Sequence, residues 1–118
     1  APDGTALPCH AARVLPGLQF PNVRQHTLAA IWAESSAFNR YRGNAWMKSP
    51  CRECPQREVD FGGCRCQAYL LAGDAVAADP ACRLSPHHGR VQDAIDAAEQ
   101  RGAETPLIFR NPRNAADR

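Results

Sequence analysis

At 118 residues, with ten prolines, eight glycines and an apolar fraction of 44%, the chain is at most one domain or part of one. Much of its apolar content is alanine, so the core it can build is thin and invites metal or disulfide cross-links. A net charge of +2 is too small to argue for nucleic acid, and its fourteen basic residues, thirteen of them arginine, are scattered rather than clustered, as solvated surface charges are.

No run approaches the roughly 20 apolar residues that span a bilayer, and no leader-like stretch is visible. Neither membrane nor secretion is expected, and the cytoplasm is the expected compartment.

Pro2, Gly4, Pro8, Pro16, Gly17 and Pro21 exclude a long helix from the first 21 residues. The stretch ALPCHAARVL has room for a short strand or turn around Cys9. The segment from Asn22 to Gly43 is the strongest helical candidate. Asn22 reads as an N-cap, and Val23, Leu28, Ile31, Trp32, Ser35 and Phe38 follow a three-and-four spacing. Trp32 is expected in the core on that face, and Arg40, Arg42 and Gly43 suit the C-terminal end.

Residues 44–66 read as loop. QAYLLA, residues 67–72, predicts one or two helical turns stopped by Gly73. ADPAC makes a second break before Cys82, and Ser85-Pro86 reads as a cap and first helical position. Val91, Ala94, Ile95 and Ala98 then form a narrow stripe ending at Gly102, followed by a short extended apolar piece and a polar tail. The composite is an α+β reading: a small, irregular, cysteine-rich module with a few helices, room for a short β-hairpin, and long loops.

The cysteines carry the chemistry. CRECPQREVDFGGCRC, residues 51–66, holds four of the six, Cys51, Cys54, Cys64 and Cys66, with Cys9 and Cys82 outside it. Disulfides rank last, because no secretory signal is visible and a pair one residue apart, Cys64 and Cys66, bridges only with strain. Zinc fits C-x2-C, but the second pair is C-x-C after only nine residues and leaves Cys9 and Cys82 without a role. Iron–sulfur ligation uses more of the pattern, since a cluster draws thiolates from several short loops. Gly62 and Gly63 would let backbone approach such a cage and aim N–H groups at its sulfides, or would simply make a turn. His10 adjoins Cys9 and reads as a neighbour of that site, whereas His87-His88 reads as a solvated loop pair.

The order G-x4-C at Gly4 and Cys9, then Cys51, Cys54, Cys64 and a last Cys82, resembles the SPASM domain. This domain is the C-terminal auxiliary-cluster extension of peptide-modifying radical S-adenosylmethionine enzymes. IWAESSAFNRYRG, DFGGCRCQAYLLAGDA and CRLSPHH resemble the branch of that family acting in pyrroloquinoline quinone biosynthesis. The likeness covers residues 1–112 and leaves 113–118 as a tail.

The resemblance implies two clusters. Cys51, Cys54, Asp60 and Cys82 would hold an outer one of 4Fe–4S type. Cys9, Cys64 and Cys66 would hold an inner one, 2Fe–2S or 4Fe–4S and incomplete here. Asp60 stands where the general pattern has cysteine, and an aspartate before Phe-Gly-Gly also reads as a turn residue accepting local N–H bonds. Two clusters need eight ligands; six cysteines and Asp60 make seven, so the resemblance implies a domain cut just inside its first cluster motif.

It further implies a parent chain whose N-terminal, partial TIM-like barrel binds S-adenosylmethionine. That parent would cross-link Glu to Tyr in a precursor peptide delivered by a small chaperone. No C-x3-C-x2-C triad occurs in this sequence, so the segment alone is expected to catalyse nothing. It would relay electrons to or from an external partner and shape the peptide cavity. The rival expectation is a zinc-stabilised interaction module closed by Cys51, Cys54, Cys64 and Cys66; an isolated segment expressed in air could also take up zinc.

Overall fold

The computed structural model describes residues 1–101. Their helices are α1 (Leu28–Glu34), α2 (Ser36–Asn39), α3 (Arg57–Asp60), α4 (Arg65–Ala72) and α5 (Gly89–Arg101), with 3₁₀ turns at Ala12–Val14 and Cys51–Glu53. The architecture is that of a small helical, loop-rich cysteine module. The β component among the described residues is one isolated antiparallel bridge, Thr5 to Asn22. The Ala6 N–H donates to the Pro21 carbonyl at 2.8 Å and the Val23 N–H to the Gly4 carbonyl at 2.9 Å. The neighbouring prolines lack the N–H groups a longer ladder would need. The extended apolar piece near residues 106–109 and the tail lie outside the described residues.

The helix expected from Asn22 starts later and is broken. Asn22 spends its side chain on the bridge region: Nδ2 donates to the Asp3 carbonyl at 3.0 Å and Oδ1 accepts from the Arg24 N–H at 2.9 Å. Thr27 caps α1 instead, accepting the Ala30 N–H at 3.2 Å. Ser35, extended at ψ 125°, separates α1 from α2.

Trp32 is not in the core. It is 65% exposed, meets Phe38 edge-on at 6.5 Å and lies beneath the Arg42 guanidinium at 4.5 Å. Arg42 also donates to the Trp32 carbonyl at 2.9 Å, but it and Gly43 lie beyond Asn39, the last residue of α2, and do not end the helix expected there. Of that face only Ile31 is buried in α1.

The helix α4 forms where QAYLLA predicts it, beginning two residues earlier and closing at Gly73, whose left-handed backbone returns its N–H to the Tyr69 carbonyl. Cys66 on α4 packs with Leu15 and Ala75, flanked by Tyr41 and Tyr69. The core is as thin as the composition implies: the buried apolar side chains are mainly alanines, with Leu15, Ile31, Met47 and Cys66.

Ser85 does not cap α5. It is buried, its Oγ donates to the Ala78 carbonyl at 3.0 Å and accepts the His87 N–H at 3.2 Å. The hydroxyl thus closes the loop that carries Cys82, and α5 starts at Gly89. Ile95 on its expected apolar stripe is 45% exposed.

Candidate metal centre

All six cysteines are free thiols, and they fall into two groups. Cys51, Cys54, Asp60 and Cys82 border one cavity of about 320 Å³, together with Gly62, Gly63 and Asp79. Three short pieces of chain bring them there. Cys51 opens a 3₁₀ turn, and the Cys54 N–H closes it on the Cys51 carbonyl at 3.2 Å. Asp60 ends α3, after which Phe61, Gly62 and Gly63 take φ of 48°, 77° and 80°. Three successive left-handed residues fold the chain sharply back, a path that glycine takes without strain. Cys82 sits in the turn after Asp79-Pro80, its N–H on the Asp79 carbonyl at 2.8 Å.

This turn corrects one expectation. The Gly62 N–H donates to Asp60 Oδ1 at 2.9 Å and the Gly63 N–H to the Asp60 carbonyl at 2.9 Å, so neither glycine N–H is aimed into the cavity. Asp60 therefore does act as a turn acceptor, and its carboxylate also borders the cavity with the three thiols. Its second oxygen enters no hydrogen bond among the described residues. Burial pushes the Cys51 thiol up, and the Arg65 guanidinium opposes that shift.

Cys9, Cys64 and Cys66 border a second cavity of about 440 Å³ against Trp32, Phe38 and Tyr41. Cys9 Sγ and Cys66 Sγ are 3.5 Å apart. Cys66 is buried, and burial followed by the contact with Cys9 pushes its thiol up to about 12. Cys64, exposed, precedes α4 and shares this cavity. His10 does not border either thiol cavity but lines an adjoining groove with Cys9. His88 is half-buried with Nδ1 on the Pro80 carbonyl at 2.9 Å, so it is tied to the Cys82 loop and not merely solvated.

Two residues that the sequence reading passed over join the cavities. Asp79 is 7% exposed; Oδ2 accepts the Cys64 N–H at 2.6 Å and Oδ1 the Ala81 N–H at 3.0 Å. Arg65, 8% exposed, donates to the carbonyls of Ala75, Ala77, Gly63 and Gly62. Asp-Pro before a cysteine is a turn signal that could have flagged Asp79. Nothing in the sequence separates Arg65 from twelve other arginines except its place between Cys64 and Cys66.

No three His, Cys, Asp or Glu side chains among the described residues gather closely enough to hold a single metal ion. The four thiols of the zinc alternative are divided two and two between the cavities. Thiolates with a carboxylate are a donor set suited to iron.

Residues 1–55 match the SPASM family, described as an iron–sulfur cluster-binding domain. Over 108 residues, 92% of this chain, the sequence is 55% identical to the PqqA peptide cyclase of Methylocella silvestris. The chain spans 29% of that protein's length. Over most of its length the chain is thus similar to one segment of a PqqA peptide cyclase, and its first 55 residues are similar to an iron–sulfur cluster-binding domain family.

Proposed function

We propose that the chain is the auxiliary iron–sulfur domain of a radical S-adenosylmethionine enzyme that cross-links Glu and Tyr within PqqA during pyrroloquinoline quinone biosynthesis. In this reading the domain runs over residues 1–112, beyond the matched 1–55, with 113–118 a tail. It acts in the cytoplasm beside its own barrel and with the small chaperone PqqD. The observation that carries the reading is the gathering of Cys51, Cys54, Asp60 and Cys82 around one cavity in a chain related to a peptide cyclase. Donors that border a space, and do not converge on a point, suit a cage of several metal atoms better than one ion.

The outer set would take a 4Fe–4S cluster. Cys9, Cys64 and Cys66 would take an inner cluster, 2Fe–2S or 4Fe–4S, whose remaining ligand is not among them. Such clusters, when bound, accept and release single electrons. The chain's own part is to fix the spacing of the thiols, to hold Asp60 by its Gly62 contact, and to flank the outer set with the apolar Pro50, Ala81 and Leu84. Electrons would pass between the barrel and an external donor or acceptor, and the exposed faces would help shape the peptide cavity. Cleavage of S-adenosylmethionine belongs to the barrel.

Anaerobic reconstitution with iron and sulfide tests this. A brown protein with visible absorption and about four irons at the outer site supports it. A colourless protein holding one tight zinc ion overturns it in favour of the interaction module.

A further inference from the structure

Arg65 lies in sequence between two thiols of the inner group, yet its side chain reaches the Gly62-Gly63 turn that borders the outer cavity. A β-carbon built on Gly62 would stand 3.4 Å from Arg65 Nη2 and 3.6 Å from Cys51 Sγ, so the guanidinium and that thiol both flank the same glycine of the turn. Arg65 also lines the inner cavity with Cys9, Cys64 and Cys66. Its centre lies 4.7 Å over the Trp46 ring, and Trp46 is itself anchored by Nε1 to the Tyr41 and Gly43 carbonyls at 3.0 and 2.9 Å.

The partners of Arg65 are unusual for a buried cation. Its hydrogen bonds go to the carbonyls of Gly62, Gly63, Ala75 and Ala77, and none of the ion pairs among the described residues includes it. Neutral carbonyls satisfy its N–H groups, and no carboxylate of the described residues pairs with it directly. A buried charge of that kind is costly unless opposite charge faces it. Asp79 supplies part of that charge and thiolates around the two sites would supply the rest: Cys51, then Asp79 and Cys64, are the acidic groups that act most strongly on Arg65.

We propose that Arg65 is a positioning residue common to both sites: its planar fork holds the Gly62-Gly63 turn against Cys51, and its fixed positive charge raises the reduction potential of the outer centre. The proposal rests on the iron–sulfur reading above. A permanent cation beside a cluster favours the state with one more electron. Lysine keeps the charge but cannot grip four carbonyls in one plane, so the two functions separate by substitution.

The experiment compares wild type, Arg65→Lys and Arg65→Gln in the full parent enzyme, reconstituted anaerobically. Iron and sulfide content and the midpoint potential are read by electron paramagnetic resonance during a redox titration. Arg65→Gln is expected to lower the potential of the outer centre, whereas Arg65→Lys keeps it near wild type with less iron retained on gel filtration. Arg65→Gln with full iron and an unchanged potential overturns the proposal. So does an equal drop in potential in both variants, since the charge would then not set the potential; iron retention is expected to fall in both, because neither side chain can replace the fork. A wild-type protein that takes up no iron and sulfide fails the function itself, before the variants are compared.

Discussion

Gly63 leaves no space for a side chain against Asp79: a β-carbon there would lie 2.6 Å from both the Asp79 β-carbon and Oδ2. The contact holds the Asp79 carboxylate where it accepts the Cys64 N–H. Gly63→Ala therefore meets two costs at once. The left-handed backbone, φ 80°, costs roughly 1–2 kcal/mol for any residue with a β-carbon, and Asp79 must move as well. Denaturant unfolding under anaerobic conditions should show a loss of at least about 2 kcal/mol. Adding Asp79→Ala should not rescue it, because the β-carbon in the way remains. A neutral Gly63→Ala would mean that the turn relaxes freely.

The division of the thiols between two cavities predicts unequal effects of single substitutions. Cys82→Ser should remove most of the iron and sulfide of the outer site and spare whatever the inner site holds. Cys66→Ser should do the reverse. A single zinc site closed by Cys51, Cys54, Cys64 and Cys66 would behave otherwise, with Cys66 essential and Cys82 dispensable. Metal and acid-labile sulfide analysis of the two variants decides between these patterns.

Asp60 makes a turn contact through Oδ1 and borders the thiol cavity, so turn-making and ligation can be tested apart. Asp60→Cys should keep the cluster but change its potential, since carboxylate is a harder and weaker donor to iron than thiolate. Asp60→Asn retains an oxygen for the Gly62 N–H and should keep the turn while weakening iron retention. Identical potentials and spectra in wild type and Asp60→Cys would remove Asp60 from the ligand set.

What the sequence revealed depended on how local the cause was. The end of α4 at Gly73 and the turn at Gly62-Gly63 follow from residue type alone, and both are present. The start of α1 was misread because Asn22 is claimed by Asp3, nineteen residues away, and a cap works only if its side chain is not engaged elsewhere. Trp32 was expected inside because the spacing marks a face without saying what covers it; within the described residues Arg42 and Phe38 are its neighbours. Arg65 and Asp79 were hidden for a related reason. Charged residues read as solvated until a fold shows which ones are enclosed.

Thr27 caps α1 through a single contact, Oγ1 accepting the Ala30 N–H at 3.2 Å, and α1 is only seven residues long. A helix this short depends on its cap, so Thr27→Ala should cost about 1 kcal/mol, and Thr27→Ser much less. Asn22→Ala should leave α1 intact and loosen the bridge between Thr5 and Asn22 instead. Amide exchange separates the two: Thr27→Ala should speed exchange at Ala30 and Ile31, and Asn22→Ala at Ala6 and Val23. If Asn22→Ala frays α1 more than Thr27→Ala does, the capping assignment is wrong.

Asp3 gives the clearest dependence on acidity. Its carboxylate accepts the Thr5 N–H at 2.9 Å and, more weakly placed in solvent, Arg13 Nη2 at 3.0 Å. The Thr5 contact leads, with Arg13 adding less, in holding the group at about 2 against an ordinary value of 3.8. Because the folded value is the lower one, the ionised carboxylate's hold on the first turn is complete above the ordinary value. It fades as pH falls from about 4 through 2. A side-chain carboxyl titration by nuclear magnetic resonance should therefore place Asp3 near 2. In Arg13→Ala the midpoint should rise only part of the way, since the backbone N–H remains. A full return to the ordinary value in that variant would make the ion pair the cause and the turn contact incidental.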